Sequence, residues 1–144
     1  MMATEVTLRE ERFDLLLHRF HENCTVTKIP MPGLVQLVEA GKTNTPEMEN
    51  LLRNLLTPYI GRLDAVVLGC THYPLAAADI SRVLGEAVVL LDGGEGTARE
   101  TRRRLALSGL LSDRLPHEGT LTMRNSSPDP GKIALAHRLL LSGD

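Results

Sequence analysis

The sequence predicts an α/β domain built around a parallel sheet. Two uninterrupted apolar runs, Ala65-Val66-Val67-Leu68 and Ala87-Val88-Val89-Leu90-Leu91, flank a stretch with helical spacing from Pro74 to Leu84. Continuous apolar strands joined through a helix mark a βαβ unit, because parallel sheets are covered on both faces. Helical periodicity recurs on either side of this unit. A hydrophobic content of 42% over 144 residues also suffices for one ordinary core.

The elements follow in order. Thr7-Leu8-Arg9-Glu10 has the form of a capping box, in which the Thr and Glu side chains satisfy each other's free backbone donors. Phe13, Leu16, Leu17 and Phe20 then recur at helical spacing and predict a helix over residues 8–21. Only Met1-Met2-Ala3-Thr4 precede it, so the chain starts as if a leading strand had been cut short. Thr25-Val26-Thr27-Lys28-Ile29 alternates and is β-branched, which predicts a short strand punctuated by Pro30 and Pro32. Leu34, Val35, Leu37 and Val38 predict a short helix closed by Gly41. Thr45 is a suitable N-cap, with Pro46 at the first helical position, where its absent N–H costs nothing. Met48, Leu51, Leu52, Leu55 and Leu56 supply the apolar face of that helix to about residue 60. Past the βαβ unit, residues 95–107 predict a helix ended by Gly109. Residues 112–131 are rich in Ser, Pro, Gly, Asp and Asn, with at most one short strand near Thr120–Met123, and a last helix covers residues 132–141.

Composition narrows the function. Sixteen basic and 18 acidic side chains leave a formal net charge of −2, which favours neither nucleic acid nor a membrane surface as partner. Arg102-Arg103-Arg104, following Arg99, reads as a solvated helical face. With no Trp, two Tyr and two Phe, few platforms remain for stacking bases or flat cofactors. No apolar run reaches the roughly 18 residues of a membrane span, and Met1–Glu5 lacks the basic and apolar regions of a secretory signal. Two cysteines without an export signal are expected as reduced thiols, so the expected compartment is the cytoplasm.

Functional groups of open parallel sheets collect beyond the carboxyl ends of strands. Gly69-Cys70-Thr71-His72 stands there, after the Ala65–Leu68 run and before a helix opened by Tyr73-Pro74. A helix N-terminus and a protonated His72 would both favour a Cys70 thiolate. The same cysteine could equally be a small buried hydrophobe. Cys24 has no such company and reads as structural.

The words of that segment carry a resemblance. Leu68-Gly69-Cys70-Thr71-His72-Tyr73-Pro74-Leu75 resembles the second cysteine motif of glutamate racemases. Four further segments agree in order. Ala3-Thr4-Glu5-Val6-Thr7 is similar to the family's A-T-x-x-T strand end, with Val6 in place of a frequent Gly. Residues 32–41 match P-x-L-V-x-L-V-E-x-G, and Asp92–Ala98 matches a D-S-G-x-x-T-A turn with Gly93 in the usual Ser place. Asn125–Pro130 falls where the family has a polar turn before its final helix. The resemblance covers essentially the whole chain.

That family inverts the α-carbon of glutamate without a cofactor, using two cysteines on opposite faces, and thereby supplies D-glutamate for peptidoglycan. The resemblance implies that Cys70 is one acid/base residue, that Thr71 and His72 bind substrate, and that His72 also tunes its cysteine neighbour. It implies an assisting role for Glu39, which on the bare sequence reads as a solvated helix carboxylate, and a substrate contact for Thr7. No cofactor and no metal are expected, and the implied partner is glutamate, with a possible homodimer in the full-length form. The implied fold has two similar lobes. Residues 1–92 would hold most of the second, and residues 93–144 would return to the first. The family's opening Asp-Ser-Gly turn and its first cysteine motif have no counterpart before Ala3. The expectation is therefore a chain with the N-terminal lobe largely missing, a partial sequence or truncated gene product, inactive as a racemase on its own.

Three alternatives stand beside this reading. One is a non-catalytic truncated remnant that binds without turnover. Another is a racemase of a related amino acid such as aspartate, built on the same two-cysteine plan. The third, a flavodoxin-like nucleotide-binding module, is weakened because no G-x-G-x-x-G follows any strand.

Overall fold

The strands are short and all run parallel. The computed structural model describes residues 1–18, 24–112, 120 and 122–141. The chain divides into two compact units, Met1–Asp92 and Gly93–Asp144. In the first, β1 (Met2–Ala3) pairs with β2 (Ile29–Pro30), and β3 (Ala65–Val67) pairs with β4 (Val89–Leu91). A parallel bridge between Met2 and Leu68 joins the two pairs, so the order across the sheet is β2-β1-β3-β4. The chain winds outward from β1 to β2, crosses to β3, and then winds the other way to β4. The winding direction thus reverses between β1 and β3, the place where open α/β sheets bind ligands.

Among the described residues, five α-helices complete this unit: α1 (Glu5–Arg9), α2 (Glu11–His18), α3 (Leu34–Glu39), α4 (Pro46–Leu56) and α5 (Ala77–Leu84). The core comes from Met2, Ile29, Leu34, Val38, Met48, Leu52, Leu56, Val66, Tyr73 and Ile80, all buried. The opposite face of β3 and β4 is open, with Val67, Val89 and Leu91 41%, 55% and 47% exposed. Thr45 caps α4 as the sequence predicts, its hydroxyl accepting the Met48 N–H at 3.3 Å. Gly41 ends α3 in the left-handed region (φ 68°). There the Gly41 N–H donates to Val38 O and the Lys42 N–H to Leu37 O, both at 2.9 Å, the two bonds of a Schellman closure.

The second unit contains α6 (Gly94–Leu107) and α7 (Pro130–Leu141), and α6 buries none of its residues. The arginine run is solvated as expected: Glu100 pairs with Arg103 and Arg104, each at 2.8 Å, and Glu95 with Arg99 at 2.9 Å. Bonds from Arg103 and Arg104 hold the Glu100 carboxyl down to about 2.

Several elements depart from expectation. The cap of the first helix is Thr4, whose side chain accepts the Thr7 N–H, and Glu10 is a C-cap that separates α1 from α2. Thr-x-x-Thr and Thr-x-x-Glu overlap in this stretch, and the earlier one forms because β1 delivers the chain to Thr4. Residues 19–21 of the expected helix lie outside the described residues. The strand expected over Thr25–Ile29 is confined to Ile29–Pro30, because β1 offers only Met2 and Ala3 as partners. Pro30 is tolerated because β2 is an edge strand. Residues 120, 122 and 123 form no strand, and Leu121 lies outside the described residues.

Candidate active site

Gly69 sets the geometry of the site. Its N–H donates to Met2 O at 2.8 Å, which draws the carboxyl ends of β1 and β3 together. A Cβ there would collide with the Met1 side chain, lie 2.8 Å from Met2 O and 3.3 Å from the Ala3 Cβ. The closeness of two backbones therefore demands glycine. Immediately past this contact the chain turns, and Cys70 emerges partly exposed.

Four predicted side chains converge here. The Cys70 Sγ lies 3.8 Å from His72 Nδ1, and the Thr71 hydroxyl 3.4 Å from the same nitrogen. His72 Nε2 lies 3.0 Å from Glu39 Oε1, bridging from the turn that follows β3 to the end of α3. In the tautomer that donates from Nε2 to the carboxylate, Nδ1 presents a lone pair to the thiol. Such a histidine can take the cysteine proton, and the carboxylate orients the ring and supports the imidazolium that results. The Glu39 side chain is 53% exposed and that of His72 31% exposed, so the cluster is open to solvent and to a small ligand.

The helix expected directly after His72 is displaced. A 3₁₀ turn over Tyr73–Ala76 comes first, and α5 starts only at Ala77. A helix macrodipole fades within one turn. The group placed against the Cys70 thiol is thus the His72 ring rather than the start of α5. Tyr73 N–H instead ties the turn back to Cys70 O at 3.1 Å.

Thr7 lies in the first turn of α1, beside the neighbouring strand end. Its hydroxyl lies 3.0 Å from that of Thr4, just past β1. Among the described residues, no hydrogen bond joins Thr7 to Cys70, Thr71 or His72. Cys24 is exposed and leads into β2 instead of leaving a strand end. Sequence reasoning missed Thr4, whose only signal was the Thr-x-x-Thr spacing. It also missed Tyr73, a fully buried side chain whose phenol oxygen has no hydrogen-bond partner among the described residues. Burial, and secondarily the charge of Cys70, push that phenol up to about 12.

Among the described residues, no group of three or more His, Cys, Asp or Glu side chains is arranged to hold a metal ion. No described helix is long and apolar enough to cross a membrane.

No family model matches the chain. Glutamate racemase of Clostridium perfringens (strain SM101) is 40% identical over 141 residues, which are 97% of this chain and 54% of the relative. Glutamate racemase of Francisella tularensis, solved in complex with D-glutamate, superposes with a TM-score of 0.68 at 25% identity, over 79% of this chain and 43% of that one. The Escherichia coli glutamate racemase, solved with L-glutamate and the activator UDP-MurNAc-Ala, gives a TM-score of 0.64 at 32% identity, over 73% of this chain and 41% of that one. The chain spans about half the length of the curated relatives it matches. In sequence and in fold it belongs to the glutamate racemase family, as a counterpart of the C-terminal portion of those longer relatives.

Proposed function

We propose that this chain carries one half of the acid/base machinery of a glutamate racemase, interconverting L- and D-glutamate to supply the D-isomer for peptidoglycan. The observation that carries the reading is the Cys70–His72–Glu39 relay at the end of β3. Cys70 as thiolate removes the α-proton from one face, having passed its own proton to His72. Glu39 holds that imidazole in position, and Thr71 and Thr7 contribute hydroxyls to substrate. The anion formed at the α-carbon needs electrostatic support, part of which the substrate ammonium supplies. Inversion further needs a proton delivered on the opposite face. In the family a second cysteine supplies it, and Cys24, which is exposed and precedes β2, is not read as its substitute. Residues 1–92 are read as most of the second lobe and residues 93–144 as the segment returning to the first. The proposed compartment is the cytoplasm, where thiols stay reduced. Two neighbouring solved structures hold D- and L-glutamate, which favours glutamate over aspartate.

The test is incubation of the chain in deuterated water with each enantiomer of glutamate, followed by proton NMR. It is run alone and with the N-terminal portion of the Clostridium perfringens relative. Alone, exchange of one enantiomer with retention is expected. With the added portion, inversion is expected, and Cys70→Ala abolishes both that inversion and the exchange by the chain alone. Absence of exchange in both settings, or exchange by the chain alone that survives Cys70→Ala, overturns the proposal.

A further inference from the structure

We infer that Asp79 is a positioning residue for the Glu39–His72 pair, acting through the turn that follows α3; the inference rests on the active-site reading above. Asp79 is the one charged side chain buried in the described core, at 1% exposure. It accepts the backbone N–H of Asn44 at 3.0 Å and the Arg82 guanidinium at 2.9 Å. Arg82 also donates to Asn44 Oδ1 at 3.0 Å, which closes a three-membered ring of contacts. Asn44 sits in the left-handed region (φ 58°), a conformation that a bonded asparagine tolerates better than most residues.

The position of this ring gives it a role. Asn44 follows Glu39 along the chain, and Asp79 follows His72. Between Glu39 and Asn44 the chain has no slack: Lys42 is held to α3 through Leu37 O, and Lys42 O accepts the Thr45 hydroxyl at 2.7 Å. Between His72 and Asp79 it is the 3₁₀ turn and the first residues of α5. The same two segments are therefore fastened twice, once at the exposed Glu39–His72 pair and once at the buried Asp79–Asn44 contact. An exposed ion pair alone holds its geometry weakly. The buried fastening fixes the separation of the segments, so that Glu39 stays within reach of the ring.

The test needs no substrate. The full chain has two cysteines, so alkylation of Cys70 by iodoacetamide near neutral pH can be followed by mass spectrometry, with exposed Cys24 as internal reference. Glu39→Gln weakens support for the imidazolium and should slow Cys70 about 2–5-fold, the range of an exposed pair. Asp79→Asn points an amide at a donor and should slow Cys70 in the same direction by no more than that. In a Glu39→Gln background it should add nothing. Where Asp79→Asn does not fold, Arg82→Gln opens the ring from its exposed side and carries the same expectation. The inference is overturned by an unchanged or faster Cys70 in a folded variant, or by slowing that persists in the Glu39→Gln background. Failure of glutamate exchange with an Asp79-responsive Cys70 overturns the racemase reading alone. A Cys70 that responds to Glu39 but ignores Asp79 overturns this inference alone.

Discussion

Gly69→Ala tests how the site is held together. The added methyl would stand 2.8 Å from Met2 O and 3.3 Å from the Ala3 Cβ, besides meeting the Met1 side chain. The Met1 methyl is the end of a flexible side chain and can rotate away. The Met2 carbonyl is backbone and cannot. Strand ends must then separate, at about 1–3 kcal/mol for overpacking. The Gly69 N–H bond to Met2 O lengthens as they part, adding about 0.5–1.5 kcal/mol. The expected loss is about 1.5–4.5 kcal/mol. Urea unfolding followed by tyrosine fluorescence measures it in the right place, because both tyrosines, Tyr59 and Tyr73, lie within Met1–Asp92. A variant within about 0.5 kcal/mol of the parent, the level of an unremarkable surface change, would refute the claim that backbone contact at Gly69 shapes the site.

Two further outcomes follow from titrating groups. The Tyr73 phenol, raised from 10.0 to about 12, favours the folded state fully below pH 10 and loses that contribution as pH rises through about 12. Tyr73→Phe should keep or raise stability at neutral pH, since it removes a buried hydroxyl without a partner. It should also lose less stability than the parent above pH 10, and a marked loss at neutral pH would mean the hydroxyl is bonded. Glu100, depressed from 4.5 to about 2, supports α6 above pH 4.5 and ceases to do so as pH falls toward 2. Helical circular dichroism should therefore fall across that window in the parent and be flatter in Glu100→Gln; parallel curves would contradict the pairing with Arg103 and Arg104.

Features written in local chemistry were readable in the sequence. Thr45-Pro46 announced the start of α4, Gly41 and Gly109 announced helix ends, and two apolar runs announced β3 and β4. The Cys70 segment and Glu39 were tied to one site by resemblance, and in the structure the His72 ring spans the gap between them. Other features depend on partners distant in sequence. A two-residue strand such as β1 cannot display periodicity, so its bridge to Leu68 was invisible, and with it the reason for Gly69. Asp79 reads as one acidic residue in an amphipathic helix, and only the turn carrying Asn44 shows why it is buried. The break between α1 and α2 was hidden because two capping patterns overlap and only the tertiary path of β1 selects between them.

The sheet has a seam. On each side of it the strands form a ladder, whereas the β1–β3 junction consists of the Met2–Leu68 bridge and the Gly69 bond to Met2. Local opening follows the least-bonded line of a structure. The Gly69 amide should accordingly exchange with solvent faster than that of Leu68, which bonds across to Leu91 at 2.7 Å. That line runs directly beneath the strand ends bearing Thr4 and Cys70. A ligand held by both ends would act as a rivet across it, since whatever binds only the closed form stabilises that form by mass action. Occupancy of the site would then be legible as slowed exchange at a single backbone amide.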